Sequence, residues 1–311
     1  MQPKNILLLG GSGFIGGAVA EALARRGAFV TVPTRRRERA KHLLPLPACE
    51  VVEADVFDRA ALDELVCRHD AVINLLGILH GDFEKVHVMF ARMLAEACVR
   101  GGVKRLIHMS ALNANINGPS EYLRSRGRGE AAVWEIANNR LAVTMFRPSV
   151  VFGEQDRFLN MFASLVKKFP LLPLGTPDAQ FQVVWVEDVA RAIVNTLGLT
   201  ETIGKTYPLV GPRVYTLRAL LEFVIAVTGA HCKIIGLGDG LSALQASVFE
   251  HLPGKLITRD NLASMSLPNT SAEPFPAIFG APAAMEAVVP GYMNGHVGRT
   301  RYAQLRQGIV K

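Results

Sequence analysis

The fold of this chain is decided by residues 5–16, which read NILLLGGSGFIG. Residues 5–9 are a short apolar run that predicts a buried strand, and helical spacing of apolar residues follows over 14–26. The turn between them holds Gly10, Gly13 and Gly16. Such a turn allows close backbone approach to a pyrophosphate, which then meets free N–H groups at the helix N-terminus. The stretch therefore predicts a dinucleotide site; a glycine-rich turn without a ligand is the alternative.

Strand-like and helix-like segments alternate regularly over the first half of the chain. The strands are short and continuously apolar, which is typical of a parallel sheet covered on both faces. Strands are predicted at 5–9, 28–32, 50–54, 71–76, 105–109 and 142–146, and helices at 14–26, 60–68, 83–100 and 121–138. We therefore expect an α/β protein with a Rossmann-type doubly wound parallel sheet.

The alternation loosens after Arg147-Pro148. The predicted elements are helices at 158–168, 189–197 and 217–227, strands at 181–186 and 206–210, and an irregular loop marked by Pro170, Pro173 and Pro177. From residue 253 onward Pro, Gly and Asn are frequent and periodicity is weak. The sequence thus predicts an NAD(P)-binding domain at 1–150. Residues 151–311 are expected to form a smaller C-terminal α/β subdomain for a substrate or partner, partly interleaved with the first.

The composition excludes several classes of protein. Half of the 311 residues are hydrophobic and 20% are charged, so the chain is not largely disordered. The four cysteines have no metal-ligand spacing, which favours a reducing compartment and predicts no metal site. His80, His87 and His108 are expected to be structural. No stretch reaches the roughly 18 apolar residues of a spanning helix, and no nucleic-acid recognition motif is present. We expect a cytoplasmic protein.

The net charge of +7 comes from two short segments. Residues 35–41, RRRERAK, hold five cations and one anion, and residues 287–311 hold four cations and no acid. The rest of the chain is therefore nearly neutral. The second segment is a basic tail whose partner the sequence does not identify. Prolines interrupt the apolar stretch 275–285, which favours loose packing on the main domain over docking on a partner or a membrane surface.

The basic run follows the second predicted strand. In dinucleotide folds the end of this strand meets the adenosine ribose, where an acidic residue binds the 2′-OH of NAD and an arginine accommodates a 2′-phosphate. Arg35 stands at this place, and no carboxylate occurs before Glu38. NADP(H) is therefore favoured as cofactor, with NAD(H) second. An exposed basic helix start is the structural alternative.

Two further residues belong to this site by their position at strand ends. Asp55 is placed either to accept a bond from the adenine amino group or to cap its own turn. Gly77 either lets the backbone lie close to the cofactor or simply ends its strand.

These pieces resemble the short-chain dehydrogenase/reductase superfamily, in its extended and atypical, NAD-dependent epimerase/dehydratase-like branches. The matching residues are Gly10, Gly13, Gly16, Asp55, Gly77, Ser110, Tyr122, Arg147, Pro148 and Ser149. Three sequence segments point to a narrower group within this superfamily: HMSALNAN at 108–115, VVFGEQDRFLN at 150–160 and WVEDVA at 185–190. They look like the bacterial relatives of the nucleotide-binding accessory subunit of respiratory complex I, the ninth of its alpha subcomplex.

The resemblance implies a catalytic set with one departure from the family. Catalytic members use Ser and Tyr-x-x-x-Lys: Tyr transfers a proton, Lys lowers the Tyr pKa and holds the nicotinamide ribose, and Ser polarises the reacting oxygen. Ser110 and Tyr122 match, but Arg126 stands at the Lys position. Arginine is a permanent cation able to depress a Tyr pKa, yet its broad planar head substitutes poorly for a compact ammonium. The alternatives are a strand-ending Ser110, an ordinary half-buried Tyr122, and a basic strip of Arg124, Arg126 and Arg128.

The predicted site follows from the fingerprint and the resemblance together. The catalytic candidates are Ser110, Tyr122 and Arg126. The cofactor-binding candidates are Gly10, Ser12, Gly13, Phe14, Ile15, Gly16, Arg35, Asp55, Val56, Leu76, Gly77, Tyr122, Arg126 and Pro148.

Two functions follow from different classes of protein. The first is an atypical NADP(H)-binding protein whose nucleotide is mainly structural or regulatory. The resemblance implies that its partner is a respiratory-chain or quinone-related assembly. Such a partner would place this cytoplasmic protein at the periphery of the membrane, on its inner face. The second is an active NAD(P)-dependent oxidoreductase or epimerase/dehydratase acting on a small carbonyl, sugar-nucleotide or quinone-like substrate.

Overall fold

The computed structural model describes residues 3–237 and 259–294. The chain divides into two compact units. Of the described residues, the first unit contains 3–149, 186–210 and 271–281, and the second contains 150–185, 211–237, 259–270 and 282–294. The cations of the basic tail, Arg299, Arg301, Arg306 and Lys311, lie outside the described residues.

The first unit is built on a seven-stranded sheet whose pairings are all parallel. Its strands are β1 (Asn5–Leu9), β2 (Phe29–Thr34), β3 (Cys49–Glu53), β4 (Ala71–Asn74), β5 (Arg105–Met109), β6 (Ala142–Pro148) and β11 (Lys205–Leu209). Their order is β11-β6-β5-β4-β1-β2-β3, so the connections reverse direction between β1 and β4. Ligands of open α/β sheets bind at such a switch point, beyond the carboxyl ends of the strands. The predicted Rossmann-type sheet is confirmed.

Helices cover both faces of this sheet. They are α1 (Phe14–Arg25), α2 (Arg59–Val66), α3 (Phe90–Arg100), α4 (Glu121–Ala137) and α6 (Val186–Thr196). Apolar residues of α2, α3 and α4 share one buried core with Leu7 and Leu106 of the sheet. On the other side α1 packs against α6. Right-handed crossovers that run in opposite directions from the switch point place these two groups of helices on opposite faces.

The helix predicted at 83–100 begins with a π-helical turn, Glu84–Met89, which continues directly into α3. The wider turn directs His87 inward, where it is only 3% exposed. Single π-helical turns inside α-helices occur frequently at functional sites.

The described part of the second unit contains three two-stranded pairings. The parallel pairs are β7 (Val151–Phe152) with β10 (Val184–Trp185) and β8 (Leu171–Leu174) with β13 (Lys233–Gly236); β9 (Gln180–Phe181) and β12 (Tyr215–Thr216) are antiparallel. Its described helices are α5 (Phe158–Lys168), α7 (Leu217–Thr228), α8 (Arg259–Met265) and α9 (Met285–Met293). Their apolar faces share a core that includes Phe152, Phe162 and Leu221.

Two predictions about this unit are wrong. The proline-marked loop contains strand β8, because Pro173 lies in a two-stranded edge where a missing N–H is tolerated. The single strand predicted at 181–186 is divided into β9 and β10. Gln182 lies between them, where its N–H donates to the Asn269 main-chain oxygen at 3.0 Å.

Within the apolar stretch 275–285, residues 275–281 belong to the first unit and pack there tightly, whereas the sequence predicted loose packing; residues 282–285 belong to the second unit. Phe275 is 6% exposed and Phe279 is 1% exposed. The Phe279 ring contacts the rings of Phe146 and Tyr207, with centroids 5.6 and 5.4 Å away. Arg191 of α6 donates through Nε to the Phe279 main-chain oxygen at 2.7 Å. Residues 275–281 are therefore part of the first unit's core.

Candidate nucleotide-binding and catalytic site

The glycine-rich turn between β1 and α1 has a backbone geometry that larger residues would disrupt. Gly10 has a φ of +80°, and a Cβ there would lie 3.1 Å from the carbonyl carbon of Leu75. A Cβ on Gly16 would collide with the Gly10 oxygen, so α1 starts close against the turn. Helix α1 begins after Gly13, which has no side chain to cap it. The N–H groups of the first turn are therefore available to an anion.

A cavity of about 350 Å³ lies beside this turn, at the carboxyl ends of β1, β2 and β3. It brings together six members of the predicted cofactor set: Gly10, Ser12, Arg35, Asp55, Val56 and Leu76. Six other lining residues lie outside the predicted set, among them Thr34, Arg36, Arg39 and Phe57. The two extra arginines belong to the basic run already recognised, whereas nothing in the sequence distinguished Thr34 and Phe57.

Three arginines surround the mouth of this cavity. Arg35, Arg36 and Arg39 are exposed, and among the described residues none of them forms an ion pair. Thr34 fixes the loop by donating from Oγ1 to the Arg36 main-chain oxygen at 3.1 Å. Among the lining residues that the structure describes, Asp55 supplies the only carboxylate. The cavity is therefore electropositive and suits a phosphate.

Asp55 caps its own turn. Its Oδ1 accepts from the N–H of Phe57 at 3.1 Å, and its main-chain oxygen accepts from the N–H of Asp58 at 3.0 Å. This is the second of the two roles that the sequence allowed. Asp55 also lines the cavity, so an acceptor is available there to an amino group.

Arg126 joins the carboxyl ends of two strands. It is 8% exposed, and its Nη1 donates to the main-chain oxygens of Met109 at 3.1 Å and Leu76 at 3.5 Å. A Cβ on Gly77 would lie 2.9 Å from the central carbon of the guanidinium. The sequence allows a close approach of the cofactor to the backbone at Gly77. In the structure, the group that lies close to Gly77 is the guanidinium of Arg126. The Arg126 Nε is buried and has no hydrogen-bond partner among the described residues.

Ser110 follows β5 directly and is 3% exposed. Its N–H donates to the Phe146 oxygen at 2.7 Å, which fixes its backbone. Within the described part of the chain its Oγ is buried without a hydrogen-bond partner. Such a hydroxyl costs about 1–3 kcal/mol of desolvation. An unpaired polar atom beside Met109, whose oxygen binds Arg126, is the best candidate in this region for contact with a bound molecule.

Tyr122 lies in the first turn of α4, half-buried among rings. The guanidinium carbon of Arg126 lies 5.5 Å from the centroid of its ring. The rings of Phe83 and His87 approach edge-on, with centroids 6.0 and 5.7 Å away. The structure thus places Tyr122 and Arg126 together, as the i, i+4 spacing implies.

Two buried histidines, His87 and His108, lie within the electrostatic influence of the Arg126 guanidinium. Burial lowers the pKa of both His87 and His108 to about 3, and the positive charge of Arg126 contributes to the shift in each case. His87 is neutral: its Nε2 accepts from the Ile78 N–H at 3.1 Å, and its Nδ1 lies 2.9 Å from the Ser125 Oγ. These histidines hold loops and helices in place, as the sequence predicts.

His108 is held by a side-chain amide. Its Nδ1 lies 3.1 Å from the Asn74 Nδ2, which donates to it, while Asn74 Oδ1 accepts from the Leu76 N–H at 3.1 Å. Neither Asn74 nor Ser125 belonged to the predicted site. Their roles depend on partners more than 30 residues away in the chain, which no local pattern reveals.

The three arginines of α4 do not form a common basic strip. Arg124 pairs with Glu121 at 3.0 Å, and Arg128 pairs with Glu121 at 2.6 Å and Glu84 at 2.9 Å. Only Arg126 of the three points inward. The strip hypothesis is therefore wrong, because the carboxylates neutralise the two outer arginines.

Phe14, Ile15 and Pro148 occupy structural positions around the site. Phe14 and Ile15 form the first turn of α1, and Pro148 ends β6, where its oxygen accepts from the Leu112 N–H at 2.9 Å. The preceding residue, Arg147, donates through Nε to Oε1 of the buried Glu130 at 2.8 Å. This pair anchors α4 to β6.

The turn, the cavity and the Ser-Tyr-Arg set on one parallel sheet define a Rossmann-type protein of the short-chain dehydrogenase/reductase class. More narrowly, the chain belongs to the NAD dependent epimerase/dehydratase family, whose sequence model matches residues 6–208.

Its curated relatives include subunits of mitochondrial complex I. The chain is 34% identical over 231 residues to NADH dehydrogenase [ubiquinone] 1 alpha subcomplex subunit 9 of Mus musculus, covering 71% of this chain and 60% of the relative. The Arabidopsis thaliana subunit is 36% identical over 70% of this chain and 56% of its own length. The chain therefore spans about 60% or less of these relatives. The resemblance that the segments 108–115, 150–160 and 185–190 indicated, to relatives of this accessory subunit, is confirmed.

Solved structures share the fold at low identity. The Thermotoga maritima UDP-glucose 4-epimerase with UDP-glucose has a TM-score of 0.71 and 17% identity, covering 96% of this chain and 99% of that one. MoeE5 in complex with UDP-glucuronic acid and NAD has a TM-score of 0.65 and 18% identity, covering 75% of this chain and 85% of that one.

Two kinds of feature are absent from the residues that the structure describes. None of their helices combines the length and apolar character needed to cross a membrane. In that same part of the chain, no group of three or more His, Cys, Asp or Glu is arranged to hold a metal ion.

Proposed function

We propose that this protein holds NADP(H) as a structural or regulatory nucleotide in a respiratory-chain or quinone-related assembly. The observation that carries this proposal is the engagement of Arg126. Its guanidinium is buried and donates to the main-chain oxygens of Leu76 and Met109, at the position where catalytic relatives have lysine. A guanidinium that binds the ends of two strands has a structural role. It is also a poor substitute for the compact lysine ammonium of the catalytic members.

The residues at the switch point fit a dinucleotide. Gly10 and Gly16 give the close backbone approach that a pyrophosphate needs, and the first turn of α1 offers N–H donors. Arg35, Arg36 and Arg39 are available for a 2′-phosphate, which favours NADP(H) over NAD(H). When bound, the cofactor supplies hydride-transfer chemistry; the chain's own residues bind and orient it.

The assembly and location rest on the relatives. Those at 34–36% identity are named as mitochondrial NADH dehydrogenase [ubiquinone] 1 alpha subcomplex subunit 9, which supports a respiratory-chain partner and a peripheral position at the inner face of the membrane. Under this proposal the first unit binds the nucleotide, and the second unit contacts the substrate or partner.

A second function is favoured by Ser110. Its buried Oγ, without a hydrogen-bond partner among the described residues, is suited to polarise a substrate oxygen. With Tyr122 as proton donor and Arg126 as the nearby cation, the site would serve an active oxidoreductase or epimerase/dehydratase acting on a small carbonyl, sugar-nucleotide or quinone-like compound.

One set of measurements separates the two functions. The purified protein is denatured and the released nucleotide identified by mass spectrometry; NADPH absorbance is then followed with carbonyl, sugar-nucleotide and quinone substrates. We expect bound NADP(H) and no turnover in the wild type, Arg126→Lys and Tyr122→Phe. Tyr207→Phe, which removes a hydroxyl from β11, is the matched control.

Two results would contradict the proposal. The first is turnover by the wild type or Arg126→Lys that Tyr122→Phe abolishes and Tyr207→Phe does not, which establishes the enzyme. The second is the absence of released nucleotide together with an NADPH Kd in the millimolar range, which removes both functions.

A further inference from the structure

A second cavity lies at the edge of the first unit's sheet opposite to the glycine-rich turn. Its volume is about 760 Å³, larger than the cavity beside that turn. The loops that precede β5, β6 and β11 form it, with lining residues at 102–104, 138–141 and 203–204. Drug-sized and peptide ligands occupy cavities of this order. Nothing in the proposed nucleotide site makes use of this edge.

The lining of this cavity carries positive charge only. Lys104 and Arg140 contribute two cations, and none of the described lining residues is an aspartate or glutamate. The Lys104 side chain is 81% exposed, and its Nζ lies 3.9 Å from Asp70, a weak contact at the surface. Arg140 uses Nη2 to donate to the Ile136 main-chain oxygen at 3.2 Å. The rest of its guanidinium fork is available for a carboxylate.

An apolar floor accompanies the two cations. Trp134 of α4 is half-buried in the lining, and Ile203 is 42% exposed beside it. Tryptophan and arginine are among the residue types that carry most of the binding energy in protein interfaces.

Two consecutive asparagines form the wall between these features. Asn138 and Asn139 have φ angles of 29° and 62°, and both are exposed. Asn138 is the C-cap of α4, and asparagine is one of the residues that adopt positive φ at helix ends. Among the described residues neither side-chain amide has a hydrogen-bond partner. Each amide offers a donor and an acceptor, which match the N–H and C=O groups of an extended peptide.

We propose that this cavity is the docking site for an extended, acidic and partly apolar segment of a partner protein. The Arg140 fork and the Lys104 ammonium bind its carboxylates, and Trp134 with Ile203 packs against an aliphatic side chain. The asparagine amides bond its main chain. Charge complementarity decides the occupant: a basic segment would meet two cations, and the described lining residues offer it no carboxylate. The site is independent of the nucleotide.

The test uses the full chain and a tryptophan signal. The sequence has two tryptophans, Trp134 and Trp185, so Trp185→Phe leaves Trp134 as the reporter. A short blocked peptide of alternating leucine and aspartate is titrated in, with a leucine–lysine peptide for comparison. We expect saturable change in Trp134 emission with the acidic peptide only. Arg140→Glu and Lys104→Glu are each expected to weaken binding about tenfold, and Arg140→Gln less. Lys167→Glu, the same charge change on α5, is expected to have no effect.

Four outcomes would overturn the proposal. They are the absence of saturable binding, equal binding of the basic peptide, unchanged affinity in both charge-reversed variants, and displacement of the acidic peptide by a single-stranded oligonucleotide. Far-UV circular dichroism confirms that each variant is folded, and the exposed positions of Arg140 and Lys104 make unfolding unexpected. NADPH affinity measured on the same samples separates this result from the nucleotide proposal, since neither residue lines the nucleotide cavity.

Discussion

The guanidinium of Arg126 lies over Gly77, so close that a Cβ on residue 77 would be 2.9 Å from its central carbon. The two residues therefore constrain each other: the arginine needs the glycine's missing side chain, and the loop after β4 is held by the arginine. Through the Leu76 and Met109 oxygens, the same guanidinium fixes the ends of β4 and β5.

Gly77→Ala is expected to displace the Arg126 guanidinium and to lower the free energy of unfolding by about 1–3 kcal/mol, the usual range for overpacking. Urea denaturation measures this loss. Gly291→Ala is the matched control, because a Cβ there meets no atom within 4 Å. Equal stability of both variants would show that Arg126 moves aside without cost. Arg126→Lys in the Gly77→Ala background is expected to recover part of the loss, since a slimmer head needs less room.

Arg39→Ala is expected to weaken NADPH binding about tenfold, which corresponds to about 1.4 kcal/mol. The reason is loss of a charge at the cavity mouth that a 2′-phosphate would use. NADH binding should be unchanged, because NADH lacks that phosphate. Calorimetric titration with both nucleotides gives the two affinities. Arg37→Ala removes a neighbouring arginine outside the cavity lining and should affect neither; a parallel loss of NADPH and NADH affinity would contradict the 2′-phosphate assignment.

Acid should destabilise the first unit through its buried histidines. Burial lowers the pKa of His87 and of His108 to about 3 in the folded state, against about 6.5 in the unfolded chain. The unfolded chain then binds more protons. The stabilisation is complete above about pH 6.5 and is lost as the pH falls towards 3, by about 2 kcal/mol per histidine at pH 5.

Denaturation in urea across this pH range tests the histidine effect. His87→Gln, whose amide can still accept the Ile78 N–H, should make stability less dependent on pH. His231→Gln changes an exposed histidine and should leave the dependence as it is. An unaltered profile in His87→Gln would assign the acid sensitivity to other groups.

The Arg147–Glu130 pair should respond asymmetrically to substitution. Glu130 is 5% exposed, whereas the Arg147 side chain is 36% exposed. Arg147→Ala leaves a buried carboxylate without its partner and should cost about 3–5 kcal/mol. Glu130→Gln should cost less, since arginine can reach water and still donate to the amide oxygen. Glu64→Gln breaks an exposed pair with Arg68 and should change stability by less than about 1 kcal/mol. Equal losses for Arg147→Ala and Glu130→Gln would refute this account.

Ser110→Ala should leave stability unchanged or raise it by up to about 1 kcal/mol. The substitution removes a buried hydroxyl for which the described residues supply no hydrogen-bond partner. Thermal unfolding measures the effect. Ser125→Ala is the contrast, because the Ser125 hydroxyl donates to the Tyr122 oxygen at 2.9 Å and lies 2.9 Å from His87 Nδ1. A clear destabilisation in Ser110→Ala would mean that this hydroxyl has a structural role.

The sequence predicts those parts of the molecule that depend on local pattern. The turn at Gly10, the alternating elements and helix 158–168 are local, so periodicity and turn chemistry suffice to place them. Arg35 and Asp55 reach a common cavity because the carboxyl ends of parallel strands meet at one edge. The resemblance supplied Ser110, Tyr122 and Arg126, which no periodicity marks as special.

The remaining features depend on contacts between distant parts of the chain. The oxygens bound by Arg126 belong to residues 50 and 17 positions away. Strand β8 exists because residues 233–236 pair with it, and its own prolines indicated a loop. The inward turn of His87 results from a π-helical geometry that helical periodicity does not distinguish from an α-helix.

The order in which the first unit is completed has a consequence for its synthesis. Strand β6 is finished at Pro148, but its outer neighbour β11 begins only at Lys205, and Phe279, which closes the core beside it, emerges later still. At about 5–20 residues per second, a ribosome leaves the outer edge of β6 unpaired for several seconds. Its bare N–H and C=O groups are open to any other strand during that time. The nascent chain therefore needs protection while it is being translated, more than the finished protein does afterwards.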